Sequence, residues 1–342
     1  MFTHKHIYTF FALLIASCNI TTSTHADQTL TDFIINHYKQ RDEKLNNCKL
    51  EMHQIASTTL DASTTWTYTN ATLYSKDNQF EGHMYKWENL EQKPMTIPFS
   101  KADSNDHYWY LNNELIRSNR AYNGQNIVFF NNSRDAKTEF FRSLFIGNNI
   151  FGYILSGKKD IPHILTKYRN NITEESKRTL DSKEYNYVQI NCDIGQYAFW
   201  IGLQEGPLIK QLEIVRDGKQ VMRSIVTDYD ESKHEPISKQ TRVIYKVHNT
   251  KQFDKLWLET KTSIHFETTN LDDTIYAGTI EWSLDAADFS PEYPDHIFKL
   301  DIDEGALVFK THEPDKNYLW RDGKAVLKST KNPDGTFEVY IP

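Results

Sequence analysis

The chain has 342 residues, of which 39% are hydrophobic and 13% aromatic, so it is rich enough in apolar side chains to build a packed core rather than stay disordered. Its 39 basic and 46 acidic residues leave a net charge of −7 with no basic run, which argues against a nucleic-acid partner. Beyond the N-terminus, no apolar run approaches the roughly 20 residues a membrane-spanning helix needs.

The first segment reads as an export leader. Lys5 precedes the apolar run 7–16 (IYTFFALLIA), which has the length of a secretory signal. Two exits fit. Small residues at Thr24 and Ala26 allow cleavage that removes residues 1–26, whereas Ile15-Ala16-Ser17-Cys18 resembles a lipobox that would remove 1–17 and leave Cys18 lipidated. Either way Cys48 and Cys192 remain as an even pair in an oxidising compartment. The expectation is a Cys48–Cys192 disulfide, worth about 4–5 kcal/mol in the chain-entropy treatment of so long a loop. Two separate buried thiols are the alternative.

Residues 27–41 predict an amphipathic helix with Leu30, Phe33, Ile34 and Tyr38 on one face and Thr29 or Thr31 as N-cap. Strands are predicted over 49–56, 63–74, 80–89, 106–116 and 125–131. The period of two gathers Trp66, Tyr68 and Tyr74 on one side of the second and His83, Tyr85 and Trp87 on one side of the third. Such an aromatic stripe has three readings: the wall of an apolar cavity, a platform that stacks on sugar rings, or plain core.

The middle turns helical. Phe140, Phe141, Leu144 and Phe145 fall at helical spacing in 136–146, ahead of Gly147. Pro162 opens a second short helix behind Asp160, with Ile164, Leu165 and Tyr168 on one face. The charged stretch 173–181 reads as a solvated connection.

Strands resume at 185–192, and 196–229 reads as three consecutive strands: 196–203, 208–216 and 221–229. The last two are joined by Asp217-Gly218, a strong two-residue hairpin signal. That turn would face Ile214 with Val221 and place Leu208, Leu212 and Ile225 together, with Ile209, Val215, Met222 and Val226 on the other side. After a polar break come 241–248, 256–266 and 276–285, the last alternating cleanly with one wet face. The tail 298–326 predicts short strands turning at Gly305 and at Asp322-Gly323, and a turn at 332–335 leads to a final strand over 336–341. No βαβ alternation occurs, so no parallel sheet is predicted.

The aromatic strand with Trp200, the Pro207 turn, the Gly218 turn and the closing Asp228-Tyr229 resemble the central repeat of the periplasmic lipoprotein-carrier (LolA/LolB-like) superfamily. The resemblance implies a mainly β (α+β) fold: one large, antiparallel, unclosed half-barrel with helices covering its concave face. It implies a domain over 27–289 with a helical lid at 136–170, and a C-terminal β extension over 290–342 packed on the same domain. The ligand it implies is a lipid or lipoprotein acyl chain, held by Trp200, Leu212, Ile214 and Ile225 from the sheet and by Phe140, Phe141, Leu144 and Phe145 from the lid. An envelope protein partner is a further implication. The chain departs from the family in its length and in early strands that lack the usual Asp-Gly/Trp arrangement.

Motifs of catalysis do not appear. There is no His-Glu-x-x-His, Cys-x-x-Cys, Gly-x-Ser-x-Gly or glycine-rich phosphate loop. His83 and His107 sit among aromatics and read as structural, and Asp301, Asp303 and Glu304 read as a solvated turn, so neither a metal nor a cofactor is expected. The expectation is a non-enzymatic exported protein, periplasmic or anchored at the outer membrane or cell surface. The alternative is a surface-anchored glycan- or protein-binding module using Trp66, Tyr68, Tyr85, Trp87 and Trp109.

Overall fold

The computed structural model describes residues 29–340, apart from 61–62, 99–100, 122–125, 133–135, 144–159, 205, 207, 226–229, 233 and 254. The leader, with Cys18 and both predicted cleavage points, lies outside the described residues.

Helix α1 (Leu30–Lys44) begins at Thr29, whose hydroxyl accepts a hydrogen bond from the Asp32 backbone N–H at 3.3 Å. Ile34, Ile35 and Tyr38 are buried, whereas Phe33, predicted on the same face, is exposed. Near its C-terminus Arg41 enters the protein and meets Glu259 in a bidentate pair, Nη2–Oε2 at 2.6 Å and Nη1–Oε1 at 3.1 Å. Both side chains are essentially unexposed, and the Arg41 guanidinium also lies 5.0 Å from the Tyr38 ring centre.

A first meander follows: β1 (Asn47–Leu60), β2 (Ser63–Lys76), β3 (Gln79–Leu90), β4 (Ser104–Leu111), β5 (Glu114–Ala121) and β6 (Asn126–Asn131). Helices α2 (Ala136–Ser143) and α3 (Ile161–Lys167) lead to a second meander. It comprises β7 (Ile172–Leu180), β8 (Lys183–Cys192), β9 (Gly195–Gly202), β10 (Leu208–Asp217), β11 (Gln240–Phe253), β12 (Leu256–Thr269) and β13 (Ile275–Asp288), with α4 (Gly218–Ile225) between β10 and β11. The chain ends with β14 (Leu307–Lys310), β15 (Lys316–Arg321), β16 (Lys324–Lys331) and β17 (Phe337–Val339).

All 17 strands form one sheet. Its centre is β1, which pairs with β2 on one side and β13 on the other. From β2 the pairing runs outward through β3, β4, β5 and β6. From β13 it runs through β12, β11, β10, β9 and β8 to β7. The tail then adds β14 to β6, and β15, β16 and β17 follow. Among the described residues, edges β7 and β17 are not joined, so the sheet is open, and every ladder between named strands is antiparallel except β6–β14. The mainly β, unclosed architecture read from the sequence is therefore what the chain adopts, with one parallel pair that the sequence reading did not foresee.

Two-residue turns set much of the register. Asp77-Asn78, Asn112-Asn113, Asp181-Ser182 and Asp322-Gly323 all take positive φ at both positions, the geometry that matches the twist of the flanking strands. The second of these splits the single strand predicted over 106–116 into β4 and β5.

Asp217-Gly218 does something else. The Gln220 N–H donates to Asp217 Oδ1 at 2.9 Å, and the Asp217 N–H donates to Gln220 Oε1 at 3.0 Å. This reciprocal pair is a capping box, and it starts helix α4 where a hairpin and a third strand were expected. Ile214 consequently lies between Tyr197 and Val243, not opposite Val221. Gly218 is required for space: a Cβ there would sit 2.0 Å from the Ser238 carbonyl oxygen.

The stretch 173–181 is not a connection: all of it but Asp181, which opens the following turn, belongs to strand β7. Its charges, paired as Glu174–Arg178 and Lys177–Glu184, belong to a sheet edge, where charge discourages pairing with another chain.

The predicted disulfide is absent, and both thiols are free. Cys48 on β1 donates to the Leu45 carbonyl and Cys192 on β8 to the Gly195 carbonyl, each at 3.3 Å. Six strand steps separate β1 from β8, about 29 Å along the sheet, against the 4.4–6.8 Å between Cα atoms that a disulfide spans.

Candidate functional site

The alternation along the strands, interrupted at bulges such as that at Glu51/Met52, gives the sheet two faces with different fates. The inner face carries α1, α2 and α3 over two apolar clusters. In one, Ile34, Tyr38, Ile164, Leu165 and Tyr168 of α1 and the α3 region pack on Phe199, Leu212, Ile214, Tyr245 and neighbours from β8–β12. In the other, Phe140 and Ala136 of α2 pack on Phe80, Tyr108, Tyr110 and Leu115 from β3–β5, continuous with Leu50, Leu73, Trp282 and Leu284 at the centre.

The residues expected to line a cavity are thereby divided. Leu212 and Ile214 lie together on the inner face under α1 and α3. Phe140 lies on that face too, 5.7 Å from the Phe80 ring centre, but in the other cluster. Trp200 alternates to the outer face and packs edge-on against Tyr187 at 5.0 Å. The side chains of Phe141 and Ile225, and the whole of Leu144 and Phe145, lie outside the described residues.

The aromatic stripe occupies the outer face but makes no platform. Tyr68, Trp87 and Trp109 are buried, Trp66 is half-buried, and Tyr85 alone of the five is exposed. Tyr68 and Trp87 meet at 68°, edge to face.

Beside an apolar cluster that includes Trp109, Ile116, Val128 and Trp320, the outer face assembles a polar group. Glu81 and His83 are two residues apart on β3 and share its outer side, while His107 on β4 is the direct cross-strand partner of His83. Their side chains converge: Glu81 Oε1 accepts from His107 Nε2 at 2.8 Å and from His83 Nε2 at 3.1 Å. Glu81 Oε2 accepts from the Phe298 backbone N–H, which ties the segment after β13 to the sheet. The rings stack in a column, His83 on His107 at 3.8 Å and His107 on Trp109 at 3.6 Å.

Glu81 is almost wholly buried while the two imidazoles keep partial access to solvent. Burial by itself would raise the Glu81 carboxyl, but the hydrogen bonds from His107, His83 and the Phe298 amide outweigh it and hold the group at about 2. Burial pulls His107 below the ordinary imidazole value, only partly opposed by its hydrogen bond to Glu81.

The cluster opens into a cavity of about 470 Å³ whose other walls include Asn105, Ser118, His296, Lys299 and Asp301. Sequence reading passed over it because 24 residues separate the two histidines, and only the β3–β4 register brings them together. The available signal was the Glu81-x-His83 spacing, which puts a carboxylate and an imidazole on one side of a strand.

No family model and no curated protein matches this chain. Solved structures do resemble it at low similarity. A DUF1329 family protein from Desulfovibrio piger aligns at 9% identity over 80% of this chain and 98% of its own, with a TM-score of 0.42. A putative outer membrane lipoprotein-sorting protein domain from Vibrio parahaemolyticus aligns at 9% identity over 78% and 95%, with a TM-score of 0.39. A Pseudomonas aeruginosa MucA/MucB complex structure aligns at 7% identity over 76% and 99%, with a TM-score of 0.22. These values lie below the level at which a likeness in shape supports a likeness in function, so the chain's own chemistry has to supply the argument.

Proposed function

We propose that this is an exported, non-enzymatic binding protein, periplasmic or envelope-anchored, that shelters an apolar ligand on the inner face of its sheet beneath residues 136–170. A lipid or lipoprotein acyl chain is the ligand class that fits. The observation that carries the reading is the division of that face. Apolar side chains run across it from β5 to β8, with α2 seated on one cluster and α3 on the other.

The energetics suit such exchange. Burying an acyl chain yields about 0.8 kcal/mol per CH₂, on the order of 10 kcal/mol gross for a chain of roughly 16 carbons. Releasing α2 from its own seat, where Phe140 is fully buried, offsets part of this, and the difference sets binding and release.

Mass spectrometry of lipids extracted from the purified protein, together with titration of a fluorescent fatty acid, tests the proposal. Lipid in the extract and saturable binding, weakened by Phe140→Ala, are the expected results. A lipid-free extract with no saturable binding at about 10 μM probe would reject it. The glycan-platform alternative fares worse, because three of its five aromatics are buried and the Tyr68–Trp87 pair meets at 68°.

A further inference from the structure

We infer that Glu81, His83 and His107 form a binding site for a divalent transition cation of the zinc class, set in the outer face of the sheet and separate from the apolar inner face. Three features of the geometry lead there. First, the donor set is two imidazoles and one carboxylate, the composition with which zinc and its neighbours are held by three protein ligands with a further position open.

Second, the spacing fits. Metal–ligand bonds of about 2.0–2.1 Å at angles of roughly 90–110° place neighbouring donor atoms about 2.9–3.4 Å apart. Glu81 Oε1 lies 2.8 Å from His107 Nε2 and 3.1 Å from His83 Nε2, and all three donor atoms fall within 4.8 Å of one another. Entry of a cation replaces two N–H···O hydrogen bonds by three metal–ligand bonds. Each imidazole then carries its proton on Nδ1.

Third, the ligands are already held. Glu81 Oε2 is anchored by the Phe298 N–H, so the carboxylate plane is fixed by the oxygen that the cation does not use. His107 is clamped between the His83 and Trp109 rings, and His83 and His107 are set opposite each other by the strand register.

The surroundings support a cation as well. Among the described lining residues, Glu81 and Asp301 are the carboxylates and Lys299 is the ammonium, so these groups sum to a negative charge when the imidazoles are neutral. The cavity gives the cation a route from solvent and leaves room for a water molecule, or for an oxygen ligand from another molecule, at the open position. His296 and Asp301 line the same space and are within the set from which a fourth ligand would come.

Titration calorimetry with Zn²⁺, and visible absorption with Co²⁺ as a spectroscopic replacement, test the assignment on the purified full chain. The wild type is expected to bind one equivalent with a dissociation constant below about 10 μM and to gain thermal stability from Zn²⁺. His83→Ala, at a partly exposed position that the fold tolerates, and Glu81→Gln are each expected to weaken binding at least tenfold and to lose the Zn²⁺-dependent rise in melting temperature. His265→Ala, an exposed histidine on β12, is expected to bind like the wild type. Absence of binding by the wild type, or binding by His83→Ala and Glu81→Gln equal to wild type, would overturn the assignment.

Discussion

Replacing Arg41 by Met leaves Glu259 in place with neither its counter-ion nor its two strongest hydrogen bonds. The structure sets the scale. Both side chains are essentially cut off from water, the pair is bidentate at 2.6 and 3.1 Å, and the nearest aromatic groups, Tyr38 and Tyr245, are themselves buried. Burial works against the Arg41 charge, but the Glu259 carboxylate more than offsets it and holds the guanidinium firmly ionised. Removing one partner of so buried a pair costs about 3–5 kcal/mol, because the remaining charge is stranded, whereas replacing both by apolar groups is often near neutral. Arg41→Met is therefore expected to lose about 3–5 kcal/mol in equilibrium urea unfolding, and Arg41→Met/Glu259→Leu to lie within about 2 kcal/mol of wild type. The coupling from this double-mutant cycle should reach several kcal/mol. A single variant costing less than about 1 kcal/mol, or a double variant costing the sum of the two singles, would show that Glu259 is not stranded when Arg41 is lost.

Asp217→Ala removes one half of the capping box and should cost about 1 kcal/mol of unfolding free energy. Gly218→Asn separates the two readings of that dipeptide: a hairpin turn would accept asparagine, whereas the close approach to Ser238 predicts a loss of about 1–3 kcal/mol, read from the same urea curves. Burial, reinforced by the Arg41 charge, lowers His37 to about 3 in the folded protein. The unfolded chain therefore binds the extra proton first as pH falls, and stability should decline from about pH 6.5 towards 3, a decline that His37→Leu flattens. Denatured but unreduced protein should label at both Cys48 and Cys192. In the native state Cys48 should resist, since burial, with Asp288 nearby, pushes its thiol up to about 12.

Period and composition made most strands legible, and the reason is visible in β13. There Gly278, Ile280, Trp282 and Leu284 fall on one side as read, and Gly278 leaves room for the Phe266 ring directly across the ladder. Junctions were harder. Asp217-Gly218 carries the residues of a tight hairpin and also those of a helix start, and Gln220, three positions on, decides between them. Asn112-Asn113 makes a true hairpin from residues that signal it less strongly. Edge strand β7 reads as a loop because its position demands charge rather than alternation. The inner-face residues Leu212, Ile214 and Phe140 were identifiable as apolar, but their separation into two clusters depends on which helix lies over which strands. An even cysteine count carried no information about distance. The Glu81–His83–His107 group lay beyond reach for a related reason: it exists only once two strands are in register.

The placement of β1 has a consequence for how the polypeptide comes to be made. It is the first of the described strands to be synthesised, and β2 reaches it at once, yet its other neighbour, β13, begins more than two hundred residues later. At 5–20 residues per second, about 10–45 s pass before that partner exists. Throughout this interval the future midline of the sheet is a bare row of amides and carbonyls, open to any extended segment nearby. Nascent chains that stall before residue 275 carry that vulnerability permanently, and their removal or shielding falls to the cell rather than to the fold.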